Sequence, residues 1–217
     1  MVLELNRIYN IDCREGLNDI PSTAVIITDP PYGINLDLKW LSEMNLAKGT
    51  PANKTDQKLV GDEKPIDVSH LFKYPRRLIF GFPYIYDPNA TGWIVWDKQP
   101  KVAERGIVTP VEVASTTLRK GYDIIRVMWG GYMRDDMIGE TRYAHPTQKP
   151  VKLMYRIIEK YTKPDDLIVD PYAGSGSTLV AAFLLKRNFI GFEISKEYCD
   201  IANKRIAEAQ AQKRLGD

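Results

Sequence analysis

The chain has 217 residues, of which 44% are hydrophobic and 27% charged, and its formal net charge at pH 7 is +2. This composition is ordinary for a globular protein. The length suffices for one α/β domain over 1–217, with little left for a second. No apolar run approaches the roughly 20 residues that span a bilayer, and the N-terminus lacks a signal-peptide layout, so no membrane partner is expected. The two cysteines, Cys13 and Cys199, form no C-x-x-C pair, which argues against a zinc site and disulfides and favours a reducing cytoplasm. The small net charge does not exclude nucleic acid, because a local basic face is sufficient to bind it.

The N-terminal part of the sequence predicts short strands separated by loops. Three apolar runs predict strands, at 23–28, 78–82 and 93–96. Residues 34–65 are polar and turn-rich and predict a long loop, which in a compact domain is usually functional or disordered. Residues 111–120 predict a short helix that ends near Gly121. An apolar run and a charged stretch follow between 124 and 142.

The C-terminal part has a clearer pattern. Pro150 suits the first turn of a helix, and apolar side chains then recur at helical spacing at Val151, Met154, Ile157, Ile158 and Tyr161. The following segments predict a strand, a helix, a second strand and a final helix capped by Ser195, at 167–169, 178–186, 189–192 and from 196 onward. Strands that alternate with helices indicate βαβ units and a largely parallel sheet.

A glycine-rich turn over residues 169–178 lies between a predicted strand and a predicted helix. Small residues let a ligand approach the backbone, and the helix N-terminus favours an electron-rich group. Ser177 stands where a P-loop needs lysine, and a dinucleotide fingerprint needs a third glycine beside Gly174 and Gly176. The remaining interpretations are an S-adenosylmethionine turn and a tight connection without a ligand. Glu193, about 20 residues past the glycines, favours a nucleoside because it can accept hydrogen bonds from ribose hydroxyls.

A second turn, Asp29-Pro30-Pro31-Tyr32, follows the first buried strand. The two prolines restrict the backbone, so the Asp29 carboxylate and the Pro30 carbonyl can both accept hydrogen bonds from one amino group. These acceptors would localise the lone pair of an aromatic amine and offset the positive charge that grows on methyl transfer. Tyr32 can stack on the face of a base. The alternative is an ordinary proline-rich turn.

At these residues the sequence resembles the DNA amino-methyltransferases. Three further segments carry the resemblance: His145-Pro146-Thr147-Gln148-Lys149-Pro150, Asn10-Ile11-Asp12-Cys13, and Trp93-Ile94-Val95-Trp96-Asp97-Lys98. The first resembles a segment around the methionine part of the cofactor, and the second a strand end that contacts the cofactor adenine. Asn10 departs from the glycine that is frequent in the family. The Asp29 turn precedes the glycine-rich turn, which matches the permuted group called beta.

The resemblance implies a doubly wound, mixed and mostly parallel sheet of the Rossmann-like methyltransferase type, the cofactor S-adenosyl-L-methionine, and a target base flipped out of double-stranded DNA. The implied catalytic residues are Asp29, Pro30, Pro31 and Tyr32. The implied cofactor-binding residues are Asp12, Cys13, Lys149, Asp170, Ala173, Gly174, Ser175, Gly176, Ser177 and Glu193. A homodimer is one assembly open to the chain.

The chain is short for this family, so little room remains for a separate recognition domain. We expect minimal target-recognition segments at 34–65 and 126–144. Candidate DNA contacts are Lys39, Lys48, Lys54, Lys58, Arg126, Arg134 and Arg142, with Trp129 and Tyr132 as candidate wedges. For each of these, a solvated charge or a core aromatic is an equally good interpretation. We expect no catalytic role for His70 or His145.

Aspartate at position 29 favours N6 of adenine as the methylated atom, because the related cytosine-N4 enzymes often carry serine there. Three alternatives stay open: a cytosine-N4 methyltransferase, an RNA or protein-amide methyltransferase, and a catalytically silent DNA-binding relative. The amide-modifying relatives typically carry asparagine in place of Asp29 and place the cofactor turn first, which counts against them.

Overall fold

The computed structural model describes residues 2–34, 62–64, 66–98, 109–130, 133–134 and 148–216. The strands are β1 (Arg7–Tyr9), β2 (Val25–Thr28), β3 (Arg76–Phe82), β4 (Gly92–Asp97), β5 (Val111–Thr116), β6 (Gly121–Arg126), β7 (Trp129–Gly130), β8 (Met133–Arg134), β9 (Leu167–Asp170) and β10 (Asn188–Phe192). The helices are α1 (Cys13–Gly16), α2 (Val151–Tyr161), α3 (Ser177–Leu184) and α4 (Lys196–Gly216), with 3₁₀ turns at Leu17–Asp19 and Ser69–Leu71.

Within these residues an eight-stranded sheet has the order β1-β10-β9-β2-β3-β5-β4-β6, and β7 pairs with β8 separately. Strands β1, β10, β9, β2 and β3 pair in parallel, whereas β5 runs antiparallel to both β3 and β4. The sheet is therefore mixed and mostly parallel, as predicted. In the middle of the sheet β2 lies beside β9, although the two strands belong to opposite halves of the chain. Their carboxyl ends consequently open at the same edge, where α/β sheets bind ligands.

Two apolar layers cover the two faces of the sheet. Along β2, Val25 and Ile27 belong to one layer and Ile26 to the other, because successive strand side chains point to opposite faces. Buried side chains of α2, α3 and α4 complete the first layer, and those of α1 and the 3₁₀ turns complete the second. This burial on both faces explains why β2 reads as a continuous apolar run, and it confirms the doubly wound arrangement.

The predicted strands and the three C-terminal helices are confirmed, with α2 at Val151–Tyr161. The Ser195 backbone carbonyl accepts a hydrogen bond from the Cys199 amide at 2.9 Å, and its hydroxyl lies 3.4 Å from the Tyr198 amide, so Ser195 caps α4.

The helix predicted over 111–120 is wrong, because residues 111–116 form strand β5. The segment Val-Glu-Val-Ala-Ser-Thr is rich in β-branched residues, which favour strands. Pairing on both sides, with β3 and with β4, satisfies its backbone groups.

Several predictions concern residues outside the described ranges. Most of the loop at 34–65 and of the segment at 126–144 lies there, as do Lys39, Lys48, Lys54, Lys58, Tyr132, Arg142 and His145. The described ends of the loop meet, since the Asp62 carboxylate accepts hydrogen bonds from the Gly33 and Ile34 amides at 2.8 and 3.3 Å. Arg126 pairs with Asp97 at 3.2 Å. No helix in the described part of the chain is long and apolar enough to cross a membrane.

Candidate active site

A cavity of about 700 Å³ opens at the carboxyl edge of the sheet. Its walls come from the segments that follow β1, β2, β3, β9 and β10, together with the amino end of β5 and the residues that precede α2. The lining includes every site residue expected from the sequence except Gly176. The parallel strands therefore bring the two turns and Glu193 into one site.

The Asp29 turn is held by hydrogen bonds on both carboxylate oxygens. Oδ1 accepts the Tyr32 hydroxyl at 2.7 Å, and Oδ2 accepts the Lys149 ammonium at 2.5 Å. Directly before the turn, the buried hydroxyl of Thr28 donates to Asp170 Oδ1 at 2.6 Å. This bond ties the end of β2 to the end of β9, so the Asp29 turn and the glycine-rich turn have a fixed separation.

Lys149 contacts the Asp29 turn, whereas its sequence position suggested a place beside the cofactor. Its ammonium contacts Asp29 and also Glu112 Oε2, at 2.8 Å. The other Glu112 oxygen pairs with Lys98 at 2.6 Å. Sequence reasoning missed Glu112 because 111–120 was interpreted as a helix. The β-branched residues of Val-Glu-Val-Ala-Ser-Thr were the available signal for a strand. Because β5 is antiparallel to β3, its amino end lies at the carboxyl edge of β3.

Asp29, Glu112, Lys149 and Lys98 form one charged cluster. The pKa shifts within it follow from burial and from the two ammonium groups. Burial raises the pKa of Asp29, against the opposing attraction of Lys149. Burial also opposes ionisation of Glu112, yet Lys149 and Lys98 lower its pKa to about 2. Burial disfavours the charged form of Lys149, but the carboxylates of Asp29 and Glu112 raise its pKa well above the ordinary value. Lys149 is thus an ammonium and Glu112 a carboxylate at neutral pH.

The glycine-rich turn is organised around Glu193. One Glu193 carboxylate oxygen accepts the Gly174 amide and the other accepts the Ser195 amide, each at 2.8 Å. Burial raises the Glu193 pKa. A carboxylate offers about four acceptor positions, so both oxygens retain capacity for a ligand. Glu193 therefore shapes the turn and lines the cavity at once.

Gly176 has a packing role in the described structure. Its φ is +81°, and a Cβ there would lie 2.8 Å from the Ala202 Cβ on α4. It is absent from the cavity lining, unlike the neighbouring Ser177. The Ser177 hydroxyl donates to the Lys149 carbonyl at 2.7 Å and accepts from Arg205 Nη1 at 3.1 Å. The start of α3 is thereby connected to the backbone of Lys149.

The segment after β1 forms another wall of the cavity. Asp12 caps α1, because its Oδ1 accepts the Arg14 amide at 2.9 Å. Cys13 is buried, which raises its pKa to about 11, and its Sγ lies 3.7 Å from His70 Nε2. Asn10 Nδ2 donates to the carbonyls of Glu193 and Ile194 at 2.9 and 3.0 Å. The departure from glycine at position 10 therefore links the ends of β1 and β10.

Tyr32 and Tyr84 form an aromatic wall at the Asp29 turn, and of the two only Tyr84 was missed from the sequence. The rings of Tyr32 and Tyr84 stack with centroids 5.9 Å apart and an angle of 19° between their planes. Tyr84 lines the cavity, yet 62% of its surface is exposed. A planar ring entering the site can contact this wall, because flat apolar surfaces stack on aromatic side chains.

Comparisons with known proteins agree with this geometry. The family model for N6/N4 methyltransferases, described as DNA methylase, matches residues 89–204. The matched range contains Glu112, Lys149 and the glycine-rich turn, whereas the Asp29 turn precedes it. The M1.MboII type II methyltransferase of Moraxella bovis is 27% identical over 93% of this chain and 96% of its own length.

Two further comparisons differ in their coverage. The M2.MboI type II methyltransferase of Moraxella bovis is 40% identical over 95 residues, which cover 40% of this chain and 35% of that relative. The matched part of the chain therefore spans about a third of the relative's length. The crystal structure of the M1.HpyAVI–SAM complex is 25% identical with a TM-score of 0.55, and the match covers 92% of this chain and 98% of that one. Since the family model matches more than half of the residues of this chain, the chain belongs to the N6/N4 DNA methylase family.

Proposed function

We propose that this protein transfers a methyl group from S-adenosylmethionine to N6 of an adenine flipped out of double-stranded DNA. The observation that carries this proposal is the position of Asp29. Its carboxylate lies in the same cavity as the glycine-rich turn, and the Thr28–Asp170 hydrogen bond of 2.6 Å joins the two strand ends. An acceptor for an amino group is thus held beside a site suited to a nucleoside cofactor.

The cofactor would lie against the glycine-rich turn and Glu193. Cavities of roughly 300–1,000 Å³ hold ligands of this size, and the present one measures about 700 Å³. Its lining includes the acidic residues Asp12, Asp170 and Glu193, which favour a cationic ligand. When bound, S-adenosylmethionine supplies an electrophilic methyl group on a positively charged sulfur. Glu193 would accept the ribose hydroxyls, and the backbone at Gly174 would allow close approach.

The target base would enter between the Asp29 turn and the aromatic wall. Asp29 and the Pro30 carbonyl would accept hydrogen bonds from the exocyclic amine, so its lone pair points at the methyl group. The Asp29 charge would stabilise the positive charge that develops on the nitrogen, which is electrostatic preorganisation. Tyr32 and Tyr84 would hold the ring plane by stacking. An amine inside the duplex cannot reach Asp29, so the nucleotide must leave the stack.

The finer assignments are parts of the same proposal. Asp29 favours adenine over cytosine, and the order of the two turns supports the permuted beta group. The chain would act as one methyltransferase domain, with recognition carried by the segments at 34–65 and 126–144. Relatives named type II methyltransferases support a role in a restriction–modification system.

The proposal is tested with unmethylated DNA and S-adenosylmethionine, by digesting the DNA to nucleosides and identifying methylated products by mass spectrometry. Asp29→Asn is run in parallel, with Asp19→Asn as the matched control, because Asp19 is exposed and outside the cavity lining. We expect N6-methyladenine with the wild type and the control, and a loss of at least about 100-fold with Asp29→Asn. N4-methylcytosine would overturn the base assignment. Methyl transfer only to RNA or protein, or cofactor binding with no transfer at all, would contradict the proposal.

A further inference from the structure

We propose that Glu112 is a positioning residue that holds the Lys149 ammonium beside Asp29 and cancels its charge, so that the Asp29 turn can stabilise a developing cation. This inference rests on the proposed methyl transfer. It assigns a role to Glu112, which contacts Lys149, and to Lys98, which contacts Glu112.

The contacts form a continuous chain. The Lys149 ammonium lies 2.5 Å from Asp29 Oδ2 and 2.8 Å from Glu112 Oε2, and Lys98 lies 2.6 Å from Glu112 Oε1. The Lys149 side chain is only 7% exposed, and its ammonium lies 5.2 Å from the centre of the Phe80 ring. Because Ser177 also holds the Lys149 carbonyl, both ends of this residue are fixed. Glu112 therefore determines where the ammonium sits relative to Asp29.

A lone ammonium at this position would oppose the reaction. The amine nitrogen gains positive charge during methyl transfer, and Asp29 is the acceptor proposed to offset it. A buried ammonium 2.5 Å from Asp29 would cancel that effect, since charges interact several-fold more strongly in a protein interior than in water. With Glu112 and Lys98 included, two carboxylates balance two ammonium groups. Without Glu112 the cluster carries an excess positive charge beside the reacting nitrogen.

Glu112 also gives Lys149 a second partner. Asp29 Oδ1 accepts the Tyr32 hydroxyl and Oδ2 accepts the Lys149 ammonium. An entering amine needs one of these oxygens. Lys149 can release Oδ2 while it keeps its bond to Glu112, so no buried ammonium is left without an acceptor, which would be costly. The same contact thus provides both charge balance and access to Asp29.

The pH dependence separates this role from simple support of the fold. The groups that face Asp29 are Tyr32 from its own turn, Lys149 from the segment before α2, Glu112 from β5 and Asp170 from β9. The negative charge of Glu112 raises the Asp29 pKa, whereas Lys149 lowers it. Removal of Glu112 should therefore lower the Asp29 pKa and move the acid limb of the methylation rate to lower pH, even as the rate falls.

The experiment compares Glu112→Gln, Lys98→Met and the double variant with the wild type, by single-turnover methylation of DNA across pH. We expect Glu112→Gln to lower the plateau rate by about 10- to 100-fold, with the acid limb at lower pH. We expect Lys98→Met to move the limb to higher pH. The double variant restores a balanced charge but leaves Lys149 without its second acceptor, so it should recover only part of the lost rate.

Three results would overturn the inference: a Glu112→Gln plateau rate within about twofold of the wild type, an unmoved limb in both single variants, or a double variant no faster than Glu112→Gln. If Glu112→Gln does not fold, the limb shift of Lys98→Met decides, and a shift to lower pH or no shift overturns the inference. A wild-type protein that methylates no DNA would contradict the proposed function itself. An active wild type whose rate is unchanged by Glu112→Gln would contradict only this inference.

Discussion

Lys149 and Asp29 are 120 positions apart in the chain, yet the lysine ammonium lies 2.5 Å from the Asp29 carboxylate. The contact joins the segment before α2 to the turn after β2. It exists because β9, which follows α2, inserts beside β2 in the sheet. The Asp29 turn is therefore completed by a residue from the other half of the chain.

Replacement of Lys149 by Met should shift the pH dependence of methylation. The ammonium lowers the Asp29 pKa, so its removal should raise that pKa and move the acid limb of the rate to higher pH. The exposed Lys163 lies outside the cavity lining, and Lys163→Met is the matched control. Rates from pH 5 to 9 on folded protein check this, and an acid limb that stays in place would show that Lys149 does not act on Asp29.

Replacement of Gly176 by Ala should destabilise the fold by about 2 kcal/mol or more, through left-handed backbone strain and overlap with Ala202. Gly121→Ala is the control, because Gly121 also has positive φ but a Cβ there meets nothing within 4 Å. We expect the Gly121 variant to lose only about 1–2 kcal/mol. Urea unfolding measures both, and equal losses would show that the contact with Ala202 is without consequence.

Glu193→Ala should weaken S-adenosylmethionine binding by about 10- to 100-fold, because hydrogen bonds to a charged group contribute roughly 1.5–3 kcal/mol. The side chain also accepts a hydrogen bond from the Gly174 amide, so the glycine-rich turn loses this bond in the variant. Glu197 is exposed on α4, and Glu197→Ala serves as the control. Isothermal titration calorimetry gives both dissociation constants. Unchanged affinity in Glu193→Ala would place the cofactor elsewhere.

Asp170 should make the folded state less stable as the pH rises. Burial raises its pKa from 3.8 to about 6. Between these values the folded chain holds a proton that the unfolded chain has released, so unfolding becomes easier as pH increases through this window. The loss from this residue is at most about 3 kcal/mol. Comparison of the wild type with Asp170→Asn by urea unfolding from pH 4 to 7 should show the variant gaining relative stability. A constant difference between the two proteins would contradict the shift.

Tyr84→Ala should raise the KM for DNA by about 5- to 100-fold, since stacking of one base on an aromatic side chain contributes roughly 1–3 kcal/mol. Tyr86→Ala is the matched control, because Tyr86 is exposed nearby but does not line the cavity. Steady-state kinetics and 2-aminopurine fluorescence at the target position report binding and base extrusion. Equal effects of the two variants would show that the stacked ring has no special contact with the base.

Much of the site could be predicted because it is local in sequence. The glycine-rich turn, Glu193 and Asp29-Pro30-Pro31-Tyr32 are short segments whose chemistry is evident from adjacent residues. All but Gly176 reach the cavity. Gly176 was assigned to the cofactor from its position in the turn, whereas its positive φ and its contact with Ala202 depend on how α4 packs against α3. No local pattern contains that contact.

The sequence by itself determined the alternation of strands and helices, the buried apolar runs and the two turns, because these depend on periodicity and on the backbone preferences of Gly and Pro. The β-branched residues of 111–116 favour a strand, but only the tertiary structure decided that this strand pairs antiparallel with both β3 and β4. The same pairing brings Glu112 and Lys98 behind Lys149. Charge balance at Asp29 is therefore a property of the assembled sheet, because Coulomb interactions depend on distances in space that sequence separation does not provide.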